Sequence, residues 1–149
     1  MEYKEIEQSL FECEKSSYLY AHCISLDLAL GAGIAKQINM RYNMRSQLLQ
    51  FKKQYPNYFN KFSYGFCIVS DGIANLITKD KCYEKPTLQT LEQSLISLKK
   101  YIIKHNISKL AMPKIGCGLD RLDWNDVSIL IKNIFEDLNI EIVICYIWI

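Results

Sequence analysis

Apolar and polar positions follow one another along this chain in two rhythms, and their succession outlines a fold. Residues 3–8 alternate apolar and polar under a heavy load of charge, the pattern of a strand at a sheet edge. Residues 18–24, YLYAHCI, are almost continuously apolar, as in a strand buried on both faces. The segment SLDLALGAGIAKQI then gathers Gly31, Ala32 and Gly33 into a tight turn. Residues 34–42 begin a helix, and the helical pattern continues over 44–55 until Pro56 and Asn57 stop it. Two short strands follow at 66–69 and 73–78, with Asp71-Gly72 between them as a hairpin turn.

In residues 87–105 the positions Leu88, Leu91, Leu95, Leu98 and Ile102 recur three and four apart, one face of a helix. Thr87 is expected to cap it, whereas Thr90 stands where a capping box usually has Glu or Gln and is expected not to complete one. Residues 109–112 form another buried strand. Asp123 can cap a last helix, with Asp126 three positions on, whose core face is Val127, Leu130, Ile131, Ile134, Phe135 and Leu138. Residues 141–149 close the chain as an apolar strand. Strands and helices alternating in this way predict a three-layer α/β/α arrangement with a mixed, mostly parallel central sheet, one domain over residues 1–149.

Composition narrows the class. Half of the 149 residues are apolar and 23% are charged, a globular balance able to bury a full core. The first residues, MEYKEIEQSL, have no run of signal-peptide type, and the apolar stretch 142–149 is far too short to span a bilayer. A monomer in the cytoplasm, with no membrane contact, is the expectation. Six cysteines form no CxxC pair and only two histidines are present, so no metal site and no disulfide framework is expected. His22 inside an apolar strand and His105 at a helix end both read as structural, the latter suiting the helix dipole. The net charge of +2 hides an asymmetry: residues 28–70 contain no acid and six bases, leaving twelve bases against sixteen acids elsewhere. Within 41–64 those bases interleave with aromatics, the mixture used on single-stranded nucleic acid. An amphipathic helix with its aromatics inward and lysines outward explains the same pattern.

Two glycine turns carry the candidate chemistry. The first, GAGIAK, ends in Lys36 where a dinucleotide fingerprint wants a small residue, and the acid expected about twenty residues later is missing. Both departures count against nicotinamide oxidoreduction, and the absence of GxxxxGK[ST] excludes a P-loop. The second, PKIGCGLDRLDW at 113–124, leaves a buried strand with Gly116 and Gly118 around Cys117 and Asp120 at its rim. Glycines allow a ligand to approach the backbone, and successive amides can cradle an anion. Exits of parallel strands line one crevice, so the two turns together can hold a pyrophosphate with neutral amides.

The blocks AHCISLDLALGAGIA (21–35), LITK (76–79) with KPT (85–87), and MPKIGCGLDRLDW (112–124), in that order, resemble the macrodomains of the terminal ADP-ribose protein glycohydrolase type. The resemblance implies a macrodomain fold, ADP-ribose in the crevice and hydrolysis of ADP-ribose from a modified acceptor, with no cofactor. Acceptors of that family include protein Glu and Asp esters, O-acetyl-ADP-ribose and nucleic acid. It implies that Lys79 attacks C1 of the opened distal ribose and that Asp120 serves as general base and acid. Gly31, Ala32, Gly33 and Ile34 would cradle the phosphates from one side. Pro113, Ile115, Gly116, Cys117, Gly118 and Leu119 would line the other, with Ser25 and Thr78 near the distal ribose and pyrophosphate. Many macrodomains have Gly-Asp at the end of the first strand to bind adenine. Gln8-Ser9 stands there here, leaving Ser9 as the candidate.

Blander roles compete at each position. Asp120 could be a turn aspartate and Lys79 a solvated lysine beside Asp80 and Lys81. Cys117, with no histidine near it in sequence, reads as a packing residue rather than a nucleophile. A chain that binds ADP-ribose without cleaving it is the alternative to a hydrolase.

Overall fold

A computed structural model describes residues 1–60, 64–118 and 120–147. Its six strands are β1 (Glu2–Glu7), β2 (Leu19–Ser25), β3 (Phe66–Ser70), β4 (Ile73–Lys79), β5 (Lys109–Met112) and β6 (Glu141–Tyr146). They form one sheet in the order β1-β6-β5-β2-β4-β3. Only β3 runs antiparallel to its neighbour. Charged β1 lies at the edge, and β2 in the interior, as the patterning predicts. The β3–β4 hairpin turns through Asp71 (φ 53°) and Gly72 (φ 69°), the paired positive φ that an Asp-Gly turn favours.

Four helices cover the two faces: α1 (Gly33–Tyr42), α2 (Met44–Gln54), α3 (Leu88–His105) and α4 (Trp124–Phe135). On one face Leu91, Leu95, Leu98 and Ile102 of α3 and Val127, Ile131 and Phe135 of α4 bury against alternate residues of the central strands. On the other, Ile38 of α1 and Met44 and Leu48 of α2 pack on Tyr20, Ile24, Ile73 and Ile77. The period of two along each strand sorts side chains between the layers, giving the α/β/α sandwich.

Several local features depart from the sequence expectation. Asn43 adopts the left-handed conformation (φ 53°), so the expected continuous helical stretch is two helices that share this residue as cap. Thr90 does complete a capping box: Thr87 N–H donates to Thr90 Oγ1 and Thr90 N–H to Thr87 Oγ1, both at 3.1 Å. A threonine hydroxyl accepts that bond as a Glu carboxylate would. Leu138 lies beyond the end of α4. The aromatics of the basic segment mostly face one another: Phe51 packs against Tyr55, Tyr58 and Phe59. Arg41 lies 3.9 Å over the Phe11 ring and Arg45 Nε donates to Leu28 O at 2.9 Å. Lys61 and Phe62 of that segment lie outside the described residues.

His22 is fully buried, with Nε2 2.6 Å from Asn75 Oδ1. Asn75 uses its amide hydrogens on Ile68 O at 3.1 Å, so its oxygen is the acceptor and His22 carries the proton on Nε2. Burial lowers the His22 pKa to about 4, with the Asn75 bond opposing weakly. This histidine is a neutral core group.

Candidate functional site

The C-terminal ends of β2, β4 and β5 sit side by side, and the loops leaving them enclose a cavity of about 760 Å³. That volume suits a ligand of nucleotide size. Residues 30–35 form one wall, Pro113, Ile115, Gly116 and Gly118 another, and Lys79 and Asp120 lie between them.

Lys79 arrives through an irregularity in the sheet. Pairing between β2 and β4 runs in step up to Ile24 with Ile77, then shifts so that Ser25 faces Lys79 and Thr78 is skipped. Such a shift re-aims the side chain that follows it. Lys79 Nζ donates to Asp120 Oδ1 at 2.5 Å, joining residues from β4 and from the loop after β5. Their side chains are 13% and 15% exposed, sheltered but open to the cavity. A charge-assisted bond at that shielding is stronger than a surface ion pair.

The first wall is electrostatically positive without a charged side chain. α1 begins beside the cavity with Ala32 as N-cap, no side-chain cap bond and no acid in its first turn. Its leading N–H groups are therefore left for an anion, and the helix dipole favours one there. Below this wall Leu28 (φ 57°) and Leu30 (φ 43°) hold left-handed conformations although both are buried leucines. Each costs about 1–2 kcal/mol, strain that the surrounding packing must sustain.

Asp27 ties this loop to the one that follows Lys79. Its carboxylate accepts from Ser25 Oγ at 2.5 Å, Ala29 N–H at 3.2 Å and Cys82 N–H at 2.9 Å. Burial pushes its pKa upward, but these donors outweigh burial and the net shift is downward. In the second wall Gly116 has φ 73°, and a Cβ there would stand 2.9 Å from Leu122 Cδ1. Only glycine fits that turn unstrained. The turn is closed by Leu122 N–H donating to Gly116 O at 2.7 Å.

Neither Cys23 nor Cys117 is held as a thiolate. Burial raises the Cys23 pKa, Asp120 raises it further, and Lys79 and the Gly116 N–H offset this only in part. Burial likewise pushes Cys117 up to about 11. Both stay protonated near neutrality.

Of the residues named from the sequence, Ser25, Gly31, Ala32, Gly33, Ile34, Lys79, Pro113, Ile115, Gly116, Gly118 and Asp120 line this one cavity. Three others do not. Ser9 accepts from Phe11 N–H at 3.2 Å and caps the short 3-10 helix Leu10–Glu12. Thr78 is buried with no hydrogen-bond partner for Oγ1, and Cys117 turns its sulfur to Ile115 O at 3.3 Å. Leu119 lies outside the described residues. Sequence reasoning passed over Cys23, Lys114, Arg121 and the loop carrying Cys82, Tyr83, Glu84 and Lys85, all of which line the cavity. An aromatic in the polar turn DKCYEKP (80–86) directly after Lys79 was the available signal. Among the described residues no cluster of His, Cys, Asp or Glu could hold a metal, and no helix is long and apolar enough to cross a membrane.

No family model matches the sequence. The ADP-ribose glycohydrolase OARD1 of Homo sapiens is 38% identical over 141 residues, covering 93% of this chain and 88% of that protein. A DNA ADP-ribosyl glycohydrolase of Mycobacterium tuberculosis is 29% identical over 107 residues, 60% of this chain and 30% of that one. Among solved structures, the macrodomain of Mycobacterium tuberculosis DarG superposes with a TM-score of 0.78 at 23% identity, covering 97% of both chains. The fold is that of a macrodomain. Within that fold class the chain belongs to the terminal ADP-ribose glycohydrolase type.

Proposed function

We propose that this protein releases ADP-ribose from modified acceptors, with Lys79 and Asp120 as the catalytic pair. The observation that carries the reading is their 2.5 Å hydrogen bond inside a cavity walled by two glycine turns. The name and extent of the human relative support it. The amide-lined start of α1 and the backbone around Gly116 and Gly118 would grip the pyrophosphate and present C1 of the distal ribose to the pair.

Asp120 would take the proton that the Lys79 amine must shed before it attacks, a reading their hydrogen bond supports. The C1–Nζ bond forms as the bond from C1 to the acceptor breaks, and the departing acceptor leaves with a proton from Asp120. The C1–O4 bond of the ring then breaks, O4 taking a proton from the new C1–Nζ ammonium, and C1 and Nζ share a protonated imine. Water then hydrolyses it, freeing ADP-ribose and restoring the amine. Each step uses groups of this chain and water alone.

Ser25 and Gly31 to Ile34 would contribute to binding on the first wall, and Ser9 and Thr78 would act only from outside the cavity. As acceptors we propose Glu or Asp esters and ADP-ribosylated nucleic acid, the latter on the strength of the mycobacterial relative's name. The six free thiols support a reducing compartment such as the cytoplasm, where the chain would act as a monomer.

The test is release of ADP-ribose from glutamate-linked and thymidine-linked substrates by the wild type, Asp120→Ala and Lys79→Ala. Loss of a positioned acid-base group should lower the rate by about 10²–10⁴-fold while calorimetry still shows ADP-ribose binding to Asp120→Ala. Unchanged turnover by Asp120→Ala overturns the mechanism. Tight binding by a wild type that turns over neither substrate would make the protein a reader.

A further inference from the structure

The loop between β4 and α3 holds one side chain that its surroundings leave unexplained. Tyr83 is 81% exposed, yet it lines the same cavity as Lys79 and Asp120 and follows Lys79 by four residues. A large aromatic left in water on a loop tip is ordinarily mobile and replaceable. Here the residues that flank it are tied down by three hydrogen bonds. Glu84 N–H donates to Lys81 O at 3.0 Å, closing a tight turn around Tyr83. Lys81 N–H donates to Glu84 Oε1 at 2.7 Å, and Cys82 N–H is taken by Asp27, whose carboxylate also anchors the opposite wall. The ring is thus presented at the cavity mouth on a fixed support, with one end of that support fastened to the floor of the site.

We infer that Tyr83 is a specificity-determining residue that stacks on the acceptor as its bond to C1 is broken, favouring planar acceptors over aliphatic carboxylates. The inference rests on the hydrolase reading above and adds to it a residue and a preference. An ADP-ribosyl group seated between the two glycine walls puts its acceptor outside C1, toward the mouth that Lys79 and Tyr83 share. A bare phenol ring on a braced turn offers a planar group an aromatic face without ordering a flexible loop first. A glutamate side chain offers that face little, and a nucleobase offers it a full ring.

The experiment compares the wild type, Tyr83→Ala and Tyr83→Phe on a thymidine-linked ADP-ribosyl oligonucleotide and on a glutamate-linked ADP-ribosyl peptide. Tyr83→Ala should lower kcat/KM about tenfold on the thymidine substrate, mostly through KM, and stay within twofold on the peptide, while Tyr83→Phe retains wild-type values on both. Equal losses on both substrates, or no loss on either, overturn the assignment. Affinities are measured in parallel in an Asp120→Ala background. Tyr83→Ala should weaken binding of the oligonucleotide about tenfold and leave free ADP-ribose unchanged. A wild type inert on both substrates counts against the hydrolase reading, and the binding arm then still decides Tyr83: equal affinities for the oligonucleotide with and without the ring overturn it.

Discussion

The turn after β2 brings main-chain amides at the start of α1 to the cavity, whereas the turn after β5 brings a glycine backbone and, at its rim, the Asp120 carboxylate. In the mechanism proposed above the first wall grips and the second reacts. Their construction differs accordingly. The first keeps acids away, and its strain falls on two leucines, Leu28 and Leu30, rather than on the glycine-rich tip. The second sets Gly116 in a conformation and a space that no side chain fits. An anion site needs only amides pointing one way, which many backbones provide. A reacting carboxylate must be held to within a fraction of an ångström, which fixes the turn beneath it.

Three substitutions sharpen this contrast. The largest effect is expected at Gly116→Ala, which combines a left-handed backbone with a Cβ 2.9 Å from Leu122 Cδ1. It should cost about 2–3 kcal/mol in denaturant unfolding, and a variant as stable as the wild type would show that the turn is not constrained. Gly118→Ala comes next. Among the described residues beyond its chain neighbours nothing lies within 4 Å of a Cβ there, so stability should stay within about 0.5 kcal/mol while ADP-ribose affinity falls about tenfold, read by calorimetry. Unchanged affinity would remove Gly118 from the ligand wall.

The smallest effect separates the strands that feed the two turns, since β2 carries a buried titratable group, His22. Its pKa falls from 6.5 to about 4 on folding, so below 6.5 the unfolded chain binds the extra proton first and acid destabilises the fold. Stability should be fully present above that value and should drop by about 1 kcal/mol between pH 6.5 and 5.5. His22→Gln should flatten this slope, and a slope that survives the substitution belongs to other groups.

Period and punctuation in the sequence locate all six strands and the helical stretches that pack on them, because burial on one or two faces leaves a direct trace in residue order; the short 3-10 helices Leu10–Glu12 and Pro56–Phe59 leave none. Local chemistry was less legible. Asn43 breaks a helical pattern without a proline or glycine, and Thr90 completes a capping box with a hydroxyl. The glycine turns and Lys79 could be named from their motifs, but their meeting depends on β2 lying between β4 and β5, a fact of topology. Ser9 was placed by analogy with a motif it does not match, and its hydroxyl is spent on Phe11. Tyr83 escaped because an exposed aromatic in a polar turn carries no periodic signal.

Lys79 and Asp120 are each other's partner. Under the proposed mechanism the proton therefore leaves Nζ along a bond that is already made, before the amine meets C1. The chemistry would then wait on the arrival of the sugar and not on a rearrangement of the two side chains.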